Sequence, residues 1–211
     1  MTRKTNELIN ELTNNLEPVQ HLPSIKHRFL RWFVPAFLAT AILTGLSIAV
    51  SGNFHPLSGR FLTEQILLLA TTLMAARSAL QLTIPQAWRQ SLYWWPLGLG
   101  LLWLAVLFAV SLTSTKPGFI SSLDVSWHCV FLAALFTALP VWLLRRQVRI
   151  GAILKARWTG LLTLSSAAAM GALGLQFACP VTGTGHVFLW HLLPAYLLAA
   201  AGYGLGKSLF K

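Results

Sequence analysis

WTGLLTLSSAAAMGALGLQFA, residues 158–178, decides the fold. It holds 21 residues without one charged side chain. About 20 residues at 1.5 Å each span the roughly 30 Å hydrocarbon core of a bilayer. The stretch therefore reads as a membrane-crossing helix. Five further apolar runs lie near residues 32–50, 61–84, 92–112, 127–144 and 187–205. They are too long for the strands of a membrane barrel, so helices must satisfy their backbone groups. Composition agrees: 55% of the 211 residues are hydrophobic and 10% are charged, against about 25% charged in soluble domains. The fold expected is all-α, an integral membrane bundle of six transmembrane helices behind a short cytoplasmic amphipathic N-terminal helix. Residues 1–28 form the cytoplasmic segment and residues 29–211 the transmembrane domain.

Charge sets the orientation. The net charge is +11, which invites a nucleic-acid reading. However, the basic residues sit in short loops between apolar runs, where they act as a topology signal and not as a phosphate-binding face. One side collects Arg3, Lys4, Lys26, Arg28, Arg31, Arg89, Arg145, Arg146, Arg149, Lys155, Arg157, Lys207 and Lys211, and the other only Arg60 and Lys116. Positive loops stay inside, so both termini are cytoplasmic. Trp32, Trp94, Trp95, Trp127, Trp142 and Trp158 lie near span ends, where interfacial aromatic anchors are expected. Small residues at Gly98 and Gly100, at Ala167, Gly171 and Gly174, and at Ala200 and Gly204 read as close helix contacts. Pro140 and Pro194 read as kinks supported by neighbouring helices. Arg77 snorkels toward the cytoplasm, and Glu64, near the outer end of its span, is expected to be wet.

Two cysteines carry the chemistry. Cys129 begins the fourth span and Cys179 ends the fifth, so both fall at the outer face, at similar depth. In a Gram-negative cell that face is periplasmic, where disulfides persist. Three readings stand side by side: a structural disulfide, two small buried thiols, or a switchable pair or soft-metal site. Histidines favour the last. His128 precedes Cys129, and CPVTGTGHVFLWH (179–191) places His186 and His191 after Cys179. Thiolate and imidazole together suit zinc, copper or cadmium, with Cys129, Cys179 and His191 as the candidate metal ligands. A nearby imidazolium also lowers a thiol pKa and raises its reactivity. His191 lies about one turn inside a span, where it reads either as a functional group or as an interfacial histidine satisfied by a loop carbonyl. No nucleophile–base set, phosphate loop or HExxH motif is present, so an enzyme is not expected. The alternative kept open is a membrane thiol-redox or haem- or quinone-binding oxidoreductase.

ELINELTNNLEPVQHL (7–22) has a helical pattern, with Leu8, Ile9, Leu12 and Leu16 on one face, Thr5 as an N-cap and Pro18 as a stop. A helix of a dozen residues is marginal alone in water. It must bury its stripe on the membrane surface, on its own loops or in the groove of a cytoplasmic partner.

Together these stretches resemble the NrsF (negative regulator of sigma F) family of six-helix bacterial membrane anti-sigma factors. The resemblance runs over essentially the whole chain. It is carried by Leu8, Ile9, Leu12, Leu16, Pro18, Val19 and Leu22, by LTIP (82–85), by SWHC (126–129) followed by Pro140 and Arg145–Arg146, and by Cys-Pro and Trp-His within 179–191. It does not extend to His128 or His186. It implies that residues Leu8, Ile9, Leu12, Leu16, Val19 and Leu22 hold an extracytoplasmic-function sigma factor at the bacterial inner membrane. It further implies that Cys129 and Cys179 sense an outer oxidant or heavy metal; His128, His186 and His191 join them as sensor candidates from their positions in the sequence alone. The expected partners are that sigma factor and membrane lipid, with no nucleic acid. No certain cofactor is expected beyond a possible soft metal ion at the sensor.

Overall fold

The computed structural model describes residues 3–14, 21–52, 58–85, 91–113, 127–181 and 183–210. Among these residues there are seven helices and no strand. They are α1 (Arg3–Asn14), α2 (Ile25–Ser51), α3 (Gly59–Gln81), α4 (Ser91–Thr113), α5 (Trp127–Val148), α6 (Ala156–Ala178) and α7 (Thr184–Leu209). Ser24 caps α2 by accepting the His27 N–H at 3.3 Å, and Gly52 closes it in the left-handed conformation at φ 68°. Thr5, expected as a cap, lies inside α1. Pro18 lies outside the described residues, as do Arg89, Lys116 and Lys211.

Among the described residues, five helices are long and apolar enough to cross a membrane: α2, α4, α5, α6 and α7. The sixth expected run is α3. It is as long as its neighbours but more polar, carrying Arg60, Glu64, Gln65, Thr71, Thr72 and Arg77. The outward faces of the apolar helices are themselves apolar. Val34, Leu38 and Ile42 on α2, Leu101 and Phe108 on α4 and Phe131 on α5 are all exposed. Contiguous apolar surface of this extent marks contact with lipid or a partner.

The stretch that opened the analysis is the hub. α6 is buried on nearly all sides and packs against α7, α3, α5 and α2. Its small residues let it do so. A methyl group on Gly160 would lie 2.1 Å from the Gly202 carbonyl oxygen, and one on Gly206 2.3 Å from that of Ala156. The backbones of α6 and α7 thus touch through a Gly-xxx-Gly pair, which allows tight van der Waals packing where lipid supplies no hydrophobic drive. Gly171 abuts Thr137 of α5, and Gly174 abuts Phe136 and Thr40. By contrast, Gly98 and Gly204 face open space and make no such contact, whereas Gly100 abuts Tyr196.

Two further expectations are corrected. Trp32 is no interfacial anchor: it is fully buried, and its Nε1 donates to the Pro140 carbonyl at 3.1 Å. Trp94, Trp95, Trp127 and Trp142 are exposed. Glu64 is not wet but 3% exposed. An indole and a carboxylate read as surface groups from position alone found polar partners inside, which is what makes burial tolerable.

The packing makes a stability prediction. Gly160→Val should cost about 2 kcal/mol or more, because the obstructing atoms are backbone. Gly98→Ala should be neutral or gain up to about 1 kcal/mol through helix propensity. Thermal unfolding in detergent distinguishes the two.

Candidate functional site

At one end of the bundle, three helix termini meet. Cys129 sits in the first turn of α5. Cys179 caps α6 in an extended conformation (φ −87°, ψ 123°), its N–H still bonded to the Leu175 carbonyl at 2.8 Å. Pro180 has no N–H to extend the helix. The chain turns and enters α7 through an α-helical turn, Thr184–His186, followed by a π-helical segment, Val187–Leu192. This segment is decisive. In an α-helix, residues five apart diverge by about 140°, from 100° per residue. A π turn bonds i to i+5 and so stacks such residues on one side. His186 and His191 are five apart, and their rings lie 5.5 Å centroid to centroid.

The result is a buried Cys₂His₂ cluster. The sulfurs of Cys129 and Cys179 are 3.1 Å apart and not joined by a disulfide. His186 Nε2 lies 3.5 Å from the first and 3.3 Å from the second. One ligand atom from each of Cys129, Cys179, His186 and His191 falls within 4.8 Å of the others. Leu175, Leu132, Val181 and Trp190 surround the sulfurs, and Trp190 meets Trp127 edge-on at 6.1 Å. The Cys179 thiol is pushed well above its ordinary pKa by its hydrogen bond with Cys129 and then by burial, so it is protonated at neutral pH.

The donor set fits a tetrahedral ion. Bonds of about 2.3 Å to sulfur and about 2.1 Å to nitrogen place ligand atoms about 3.3–3.8 Å apart, within the range seen here. A second observation agrees. Among the described residues, His186 Nδ1 and both nitrogens of His191 are buried and meet no oxygen or nitrogen partner. Such orphans are rare in native interiors and call for a missing partner. Two thiolates and two imidazoles suit zinc or cadmium.

The structure thus brings together four of the five residues singled out around the cysteines. His128 is exposed and stands outside the cluster, because its neighbour on the helix, Cys129, points about 100° away. The metal set read from sequence contained Cys129, Cys179 and His191; His186 joins them. Sequence reading also missed a polar group nearby. Arg60 Nε donates to Glu64 Oε1 at 2.7 Å, Gln176 Nε2 to Glu64 Oε2 at 2.9 Å, and Gln65 Nε2 to Gln176 Oε1 at 2.8 Å. It ties α3 to α6 one turn before Cys179.

The opposite end of α5 holds the second feature. Arg28, fully buried in the first turn of α2, donates through Nε to the Gln147 carbonyl at 3.1 Å and through Nη2 to the same oxygen. Its Nη1 donates to Thr83 Oγ1 at 2.9 Å. Ahead of it, every described side chain of α1 is exposed, including Leu8 (55%), Ile9 (43%) and Leu12 (62%); Leu22 is exposed too. Leu16 and Val19 lie outside the described residues.

The family model for NrsF, negative regulator of sigma F, matches residues 12–211. No curated protein and no solved structure matches the chain.

The geometry predicts one equivalent of Cd²⁺ per chain, read by thiolate-to-metal absorption of the purified protein. Cys129→Ser and Cys179→Ser each remove the signal. His186→Ala and His191→Ala weaken binding tenfold or more, and His128→Ala leaves it unchanged.

Proposed function

The chain belongs to the NrsF family of negative regulators of sigma F, and from that premise we propose a full cycle of holding and release. It is a negative regulator of a sigma factor, so a sigma factor is its partner. In our reading that partner is of the extracytoplasmic-function class. It is held at the bacterial inner membrane by the cytoplasmic segment 1–28, through Leu8, Ile9, Leu12, Leu16, Val19 and Leu22. The membrane domain, 29–211, crosses six times with both termini inside, and α3 is the sixth span, its Glu64 charge countered by Arg60 and its second oxygen accepting from Gln176. The Cys129/Cys179 cluster faces the periplasm and takes the signal, a soft divalent metal or an oxidant.

The observation that carries the holding step is the bare stripe of α1. Three large apolar side chains on a twelve-residue helix are exposed, and such a helix gains stability only by burying them. Its acidic Glu7 and Glu11 argue against anionic lipid as the cover. A groove on a protein partner suits it.

The release step needs a link between the ends of the bundle, and α5 supplies one. Cys129 and Gln147 stand about 27 Å apart along it, at 1.5 Å per residue. Arg28 and Trp32 fasten the start of α2 to α5 at Gln147 and Pro140, and the holding segment leads directly into that start. A shift of α5 drawn by its outer end therefore moves the base of the holding segment. Magnitudes favour a metal as the signal. Moving a two-state switch from 1:99 to 99:1 takes about 5.5 kcal/mol. A disulfide supplies about 2–4 kcal/mol, a structural Cys–His zinc site about 10 or more.

Affinity purification of a C-terminally tagged chain in mild detergent tests the holding step. A sigma factor should co-purify with the full chain, and be lost with residues 2–22 deleted or with Leu8→Asp and Leu12→Asp combined. Equal recovery with all three forms would refute the assignment to this segment.

A further inference from the structure

α5 and α7 both lie on α6, yet a cleft of about 200 Å³ remains between them, with His191 in its wall. Small side chains leave the space: Ala134 on α5 and Ala172 on α6, with Leu175 and Leu198 flanking. Ala134 is exposed, and so are its neighbours Phe131 (67%) and Leu135 (44%). Those side chains belong to the apolar surface of a helix able to cross the membrane. The mouth of the cleft thus opens toward lipid and not toward water.

The imidazole is the one strongly polar group of this wall. His191 is 3% exposed, its ring faces the Cys129 thiol, and neither ring nitrogen meets a carbonyl or carboxylate among the described residues. A neutral imidazole carries one N–H donor and one acceptor nitrogen. The acceptor edge can serve the thiols or a metal. The N–H edge then needs a carbonyl or carboxylate, which a ligating histidine almost always has, and no described residue provides it. Water is a poor substitute, because a buried water needs two to four polar partners. Besides His191, the lining offers one polar side chain, Thr137.

We propose that this cleft binds a membrane-dissolved ring compound of the quinone class, whose carbonyl oxygen accepts the His191 N–H. Each property of the site selects for it. The walls carry no charge, so the ligand is neutral. The mouth admits from lipid, so the ligand partitions into the bilayer. An apolar cavity of about 150 Å³ holds a benzene ring, so one of about 200 Å³ holds a single ring with small substituents. The donor at the end calls for a carbonyl. His191 also belongs to the set of side chains whose ligand atoms lie within 4.8 Å of one another, so an occupant here touches the thiol cluster through one residue. The step is binding alone and draws on no electron transfer.

The test uses the full chain in lipid nanodiscs and radiolabelled duroquinone, tetramethyl-1,4-benzoquinone, whose fully substituted ring is not open to thiol addition. Equilibrium dialysis against empty nanodiscs separates saturable binding from partition into lipid. One saturable site per chain is expected. His191→Leu should weaken it about tenfold, as loss of one hydrogen bond to a buried donor does. Ala134→Trp, a change at the exposed mouth, should abolish it while Cd²⁺ uptake at the cysteines persists. Absence of saturable binding, or saturable binding that both variants leave unaltered, would overturn the proposal. Neither readout involves the sigma factor, so failure here leaves the anti-sigma reading standing, and the reverse.

Discussion

Everything in this molecule hangs on how closely α6 and α7 approach. Gly160 lies against Gly202, and Gly206 against Ala156, backbone to backbone. In lipid, helices gain little from hiding apolar surface, since the tails are as apolar as leucine. Association must come from dispersion at short range and from hydrogen bonds. The glycines supply the first. Ser166, donating to the Thr72 carbonyl at 2.8 Å, and the Gln176–Glu64 contact supply the second between α6 and α3. With α6 fixed on both sides, its last turn delivers Cys179 to the place where α7 starts. The π segment of α7 then turns His186 and His191 onto the same point. A looser α6–α7 crossing would scatter the four donors.

Much of this was legible in the chain. The runs of about 20 apolar residues give the helices directly, because length and charge content are all that a span requires. The meeting of Cys129 and Cys179 followed from counting crossings. The stripe Leu8, Ile9, Leu12 followed from helical spacing. What escaped detection shares one cause: it depends on which way a side chain points once helices pack. His128 and Cys129 are adjacent in sequence, yet one is exposed and the other buried. His186 entered the donor set only through a π turn, and no residue in VFLWHL signals one. Glu64 read as a surface acid by position, and its partner Gln176 is 112 residues away. Trp32 read as an anchor, yet it is a hydrogen-bonded core residue whose acceptor, Pro140, is 108 residues away.

The same limit applies to Arg28. As one more basic residue on the positive side it contributed only to orientation. Folded, it is a buried cation satisfied by the Gln147 carbonyl and the Thr83 hydroxyl. Removing one side of such an arrangement leaves buried groups unpaired, so it resists gradual loosening and favours discrete states. A stiff link of this kind is what the two-position regulator we propose requires between the cysteine–histidine cluster and the N-terminal segment. The cluster is dry and fourfold, the N-terminal helix bears an exposed apolar stripe, and α5 runs from the cluster to Gln147 beside Arg28.

The central claim is that the state of the outer cluster governs the inner helix. Amide hydrogen exchange over residues 5–22, in the sigma-factor complex reconstituted in nanodiscs, measures this directly with and without Cd²⁺. Our account predicts slow exchange in the metal-free complex and fast exchange once Cd²⁺ binds, with the double variant Cys129→Ser, Cys179→Ser remaining slow in both. Exchange over 5–22 that Cd²⁺ leaves unchanged in the native chain would contradict it.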